Sequence, residues 1–72
     1  MTRIKIDLKS NLNPNFHTIF FLYISDTDYK ILQDYDMDEY DDAWDRLCDS
    51  IERYSVPGTL APDWYIDHID FN

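Results

Sequence analysis

The sequence predicts an α+β domain: a small antiparallel sheet of about three strands, with one long acidic amphipathic helix and a shorter helix on one face, in the order β-β-α-α-β. Three observations carry this. Residues 2–9 alternate between apolar and charged side chains. Tyr40, Trp44, Leu47, Ile51 and Tyr54 recur at intervals of 4, 3, 4 and 3, the spacing of one helix stripe. The segment from Trp64 to Phe71 is again rich in strand formers.

Taken in order, Ile4, Ile6 and Leu8 point to one side of the first strand, and Arg3, Lys5, Asp7 and Lys9 to the other. The Asn- and Pro-bearing stretch from Ser10 to Asn15 is a turn. Thr18 to Ile24 forms the second strand, hairpinned to the first. It is apolar on both faces, which predicts a central strand covered by a helix. Ser25 followed by Asp26 and Asp28 has the form of a helix N-cap with acids in the first turn. A short helix over Asp26 to Asp34 follows, with a strand at Tyr29 to Gln33 as the competing reading. The long helix is expected from Met37 to Tyr54, opened by an Asp36–Glu39 capping pair and closed before Val56-Pro57-Gly58. Residues 55–62 are a loop with two prolines, and residues 1–72 are expected to share one compact domain.

Composition narrows the function. The 72 residues carry 15 acids and 6 bases, a net charge of −9, yet 44% of them are hydrophobic and 17% aromatic. That is too apolar for a disordered acidic tail. The charge argues against direct binding of nucleic acid or anionic membrane, and for a protein partner with a basic surface. A lone Cys48 makes no internal disulfide, and the longest apolar run, Ile19 to Ile24, is far short of a membrane span. A cytoplasmic protein is expected. With Gly58 the only glycine, no phosphate cradle exists.

The charge is uneven. From Asp34 to Glu52 there are nine acids and one base, Arg46, so this segment holds −8 of the −9. Asp38–Asp42, Asp41–Asp45 and Asp45–Asp49 are like-charge pairs at i,i+4, each destabilising a helix by roughly 0.2–0.5 kcal/mol. Mixed charges would give solubility without that repulsion. Aspartate outnumbers glutamate 13 to 2, although it is the poorer helix former. A helix face that sacrifices local stability to hold short, rigid carboxylates is the kind of inconsistency expected at a functional surface. The candidate partner-binding residues are therefore Asp36, Asp38, Glu39, Asp41, Asp42, Asp45, Asp49 and Glu52. Tyr35, an aromatic among the acids, joins them, with packing an equal reading for it.

Other chemistry is weaker. Asp34, Asp36, Asp38 and Asp42 match positions one, three, five and nine of a calcium-binding loop, but Glu39 replaces the required glycine and Asp45 the bidentate glutamate. His68 and Asp70 share a strand face with no evident third metal ligand. Cys48 has acids around it that raise a thiol pKa. No metal, cofactor or enzymatic activity is expected.

The run Asp41-Asp42-Ala43-Trp44-Asp45-Arg46-Leu47 resembles the acidic recognition helix of barstar-type ribonuclease inhibitors. That resemblance covers seven residues and implies that Asp41 and Asp45 face a basic nuclease site. The leading hairpin departs from the barstar strand order. In size, charge and α+β character the chain also looks like the small acidic proteins that phages and mobile elements direct against host defence: anti-CRISPR, anti-restriction and glycosylase-inhibitor proteins. The expected function is thus inhibition by nucleic-acid mimicry. The alternative is an antitoxin or other regulatory interaction module that binds through aromatic surface at Trp64, Tyr65 and Phe71, with the acids serving solubility.

Overall fold

A computed structural model describes residues 1–35 and 38–71. Five elements follow in the expected order: β1 (Thr2–Ser10), β2 (His17–Ile24), α1 (Asp26–Asp34), α2 (Tyr40–Tyr54) and β3 (Trp64–Asp70). They form an α+β fold with a three-stranded antiparallel sheet in the order β2-β1-β3.

The alternation in β1 fixes which side of the sheet is buried. Ile4, Ile6 and Leu8 are all but fully buried, and Leu22 and Ile24 of β2 join them beneath the helices. From α1 come Ile31 and Leu32, and from α2 come Ala43, Leu47 and Ile51. Both helices therefore cover one face of the sheet, and the other is left open.

Local chemistry accounts for the connections. The buried hydroxyl of Ser10 accepts the N–H groups of Leu12 (3.3 Å) and Asn13 (3.2 Å), turning the chain out of β1. The Asn13 side chain then accepts the Asn15 N–H at 3.2 Å. β2 returns in register, with Thr2 opposite Ile24 and Lys9 opposite His17. Ser25 caps α1 by accepting the Asp28 N–H at 3.1 Å, which settles Asp26–Asp34 as helix rather than strand. After α2, Val56-Pro57-Gly58-Thr59 closes on a 3.1 Å bond from the Thr59 N–H to the Val56 carbonyl. Proline at the second position and Gly58 at φ 84° are the type II arrangement.

Three expectations change. β2 is an edge strand, not the central one. β3 pairs on the far side of β1, so the strand whose outer face is charged, β1, lies in the middle. Among the described residues no helix or strand lies over the outward side chains of β2, and Ile19, Phe21 and Tyr23 are 46%, 56% and 61% exposed. The long helix begins at Tyr40 rather than Met37, with Glu39 at its N-cap position and no side-chain capping bond there. The expected Asp36 partner lies outside the described residues. Finally, Tyr54 is on the stripe by spacing but exposed, because it is the last residue of α2 and the buried contacts of that helix end at Ile51. Ala43 takes the buried place instead.

Candidate functional site

The acidic surface is built on α2, so its direction is set by which residues that helix buries. Ala43, Leu47 and Ile51 point at the sheet. At 3.6 residues per turn, Asp41, Asp42, Asp45, Asp49 and Glu52 then fall within about 100° of arc on the opposite side. All five are exposed, as are Asp38 and Glu39 just ahead of the helix. Asp41, Asp45, Asp49 and Glu52 form one row, successive members about 5–6 Å apart along an axial distance of about 17 Å.

Of the two bases of α2, Arg46 is held away from the row and Arg53 pairs within it. Arg46 donates from Nε to one oxygen of Asp28 at 3.1 Å and from Nη2 to the other at 2.6 Å, a bidentate clip between the two helices. That hydrogen bond, ahead of the surrounding carboxylates, raises the Arg46 pKa. Arg53 pairs with Asp49 at 3.0 Å, four residues earlier. No ion pair or hydrogen bond among the described residues engages the side chains of Asp41, Asp42, Asp45 or Glu52. Asp36 lies outside the described residues.

An aromatic row borders the acids. Tyr35 closes α1 in the left-handed region (φ 55°) and leans on Tyr40, ring centroids 4.4 Å apart. Tyr40 stacks in turn on Trp44 at 5.7 Å. Tyr40 and Trp44 pack against the core, as their place on the stripe implies. Tyr35 is 63% exposed, so it does both things the sequence leaves open: one ring face packs and the rest is presented to solvent. Burial, then Tyr35 and Asp41, push the Tyr40 phenol above its usual pKa.

α1 is fixed at its other side by Tyr29. Its hydroxyl donates to the Phe71 carbonyl at 2.6 Å, and the two rings meet edge to face at 5.4 Å. Phe71 and Trp64 pack against the core, which leaves Tyr65 as the exposed member of the aromatic trio expected on the last strand.

The remaining candidates resolve simply. No group of three His, Cys, Asp or Glu among the described residues is placed to hold a metal ion. His68 and Asp70 do share the open sheet face, opposite Asp7 and Lys5 of β1. Cys48 is half-buried beside the acidic row. Its pKa is raised mainly by burial and then by Asp45 and Glu52; the acids are readable from the sequence and the burial is not. No helix among the described residues is long and apolar enough to cross a membrane. Sequence reasoning misses the Arg46–Asp28 clip and the exposure of the apolar outer face of β2, which it reads as covered. The clip joins residues 18 apart on different helices, so no local spacing announces it. No protein-family model, curated protein or solved structure matches the chain.

Proposed function

We propose that this protein is a small inhibitor that binds the basic, nucleic-acid-binding surface of another protein, with the outward face of α2 standing in for phosphates. The anti-defence inhibitors of phages and mobile elements are the setting this fits. The observation that carries the reading is the row Asp41, Asp45, Asp49 and Glu52. These are four exposed carboxylates a helix turn apart, repelling one another and, Asp49 aside, left without a cation. Their spacing is of the same order as the phosphate-to-phosphate step of a nucleic-acid strand. Aspartate keeps each charge near a rigid backbone, so few rotamers are frozen on binding. Partner arginines would engage the carboxylates in charge-assisted, partly bidentate pairs, and the concentrated field would speed encounter. Asp38, Glu39 and Asp42 widen the charged surface, and Tyr35 offers a flat ring on which an arginine side chain can stack.

The alternative, an interaction module working through Trp64, Tyr65 and Phe71, has less to support it, since Trp64 and Phe71 are turned to the core.

Affinity capture from a host lysate tests the proposal. The expected result is a nucleic-acid-binding protein that competing duplex DNA displaces from the immobilised chain. Capture that survives Asp41→Lys with Asp45→Lys, or that DNA does not displace, contradicts it.

A further inference from the structure

The two edges of the sheet are protected very differently. β3 carries Asp67, His68 and Asp70, follows Pro62, and breaks its register with β1 between Asp7 and Leu8. Charges, a bulge and a nearby proline are the usual means by which an edge strand is kept from pairing with another chain. β2 is protected only at its start, by His17 and by Pro14 in the turn before it; from Thr18 to Ile24 it has neither a charge nor a bulge. Its eight residues, HTIFFLYI, contain no Asp, Glu, Lys, Arg, Pro or Gly, and it pairs without a bulge along its whole length with β1. Among the described residues no strand occupies its other side. Its outward side chains Ile19, Phe21 and Tyr23 remain exposed.

We infer that β2 pairs antiparallel with β2 of a second copy, joining two three-stranded sheets into one of six strands about a two-fold axis. The occupant follows from self-complementarity. The exposed apolar triplet is centred on Phe21, so an axis through Phe21 lays the triplet on itself. Phe21 meets Phe21, and Ile19 of each copy meets Tyr23 of the other, an aromatic–β-branched pair of the favourable kind. On the helix side the same register sets Phe20 against Leu22 and Thr18 against Ile24. Every pair keeps its side of the sheet, and no charge meets its own copy. That matters in a chain of net charge −9, whose acids would otherwise oppose self-association. Asp41, Asp42, Asp45 and Glu52 lie on the outward face of α2, Asp49 borders the cleft beside Tyr23 and Ile24 but is paired with Arg53, and Arg3 of β1 is stacked over Phe21 at 5.1 Å. A symmetric pairing of this kind closes on itself and uses up both exposed edges, so it ends at the dimer.

This inference goes beyond the proposed function and stands or falls separately from it. Light scattering with size-exclusion chromatography on the wild-type chain is expected to give twice the monomer mass at micromolar concentration. The dimer should strengthen as salt screens the repulsion of two acidic molecules, whereas capture of a basic partner should weaken. Phe21→Lys should give a monomer with unchanged far-UV circular dichroism. In a Cys48→Ser background, Phe21→Cys should form a disulfide-linked dimer on oxidation, since opposed strand residues lie within disulfide reach. Ile19→Cys should link only when mixed with Tyr23→Cys. A monomer at all concentrations, whether or not a strand of some other protein binds there, overturns the inference. So does a dimer that Phe21→Lys leaves intact, or linkage of Ile19→Cys to itself in preference to Phe21→Cys.

Discussion

Tyr35 ends α1 at φ 55°, a conformation that costs most residues about 1–2 kcal/mol and that glycine usually supplies at this position. Its contact with Tyr40 offsets that strain, so removing the ring separates the two effects. Tyr35→Ala loses the contact and keeps the strain, whereas Tyr35→Gly loses both. Chemical denaturation should therefore find the alanine variant less stable than the glycine variant by about 1 kcal/mol. Cys48 gives a second residue-scale test. Its pKa is raised in the fold, chiefly by burial, so the folded state holds the thiol proton at a pH where the unfolded state has released it. The sign follows: Cys48 contributes no pH slope below the ordinary thiol pKa of about 8.5, and stability falls as pH rises above it. Comparing the wild type with Cys48→Ala across roughly pH 8 to 10.5 should show a steeper decline in the wild type.

At the scale of the element, α2 joins stability and binding with opposite signs. Asp45 stands between Asp41 and Asp49 at i,i+4 in both directions. Asp45→Lys turns two repulsions into two attractions and should raise stability by about 0.8–2 kcal/mol in thermal or urea unfolding. The same substitution, combined with Asp41→Lys, is expected to abolish partner capture. A surface that served solubility alone would show the first effect without the second. This helix is also the most legible part of the chain. Its 3.6-residue stripe is enough to assign Leu47 and Ile51 to the core and the carboxylates to the outside. Its start is less legible, because an Asp–Glu pair three apart has the form of a capping box whether or not it caps. Strand β2 misleads for a different reason. Apolar residues at successive positions mean two buried faces only when another layer covers the second one, and HTIFFLYI does not reveal that the layer is missing. The α1–α2 clip through Arg46 and Asp28 is beyond the reach of local patterns because it depends on how two separate helices are laid side by side.

Across the whole molecule, one small core supports everything else. Among the described residues, ten buried apolar side chains hold two helices to one face of three strands. A chain of 72 residues has a total stability of roughly 4–11 kcal/mol. Ile51 is fully buried where α2 meets the sheet, and Ile51→Ala should remove about 2–5 kcal/mol of that. Equilibrium unfolding should show its midpoint far below that of any surface variant named above. On this core the charges are sorted by side: carboxylates on the outer face of α2, and apolar and mixed charges on the open sheet. The molecule therefore presents two unlike surfaces, and salt should move them in opposite directions. The most direct test is the affinity of a captured nucleic-acid-binding protein for the wild-type chain, for Asp41→Lys with Asp45→Lys, and for Phe21→Lys, each titrated against duplex DNA. Phosphate mimicry requires that DNA and the wild-type chain exclude one another, that salt weakens both, and that only the double aspartate substitution destroys binding. Simultaneous binding of DNA and protein, or a loss confined to Phe21→Lys, would contradict it.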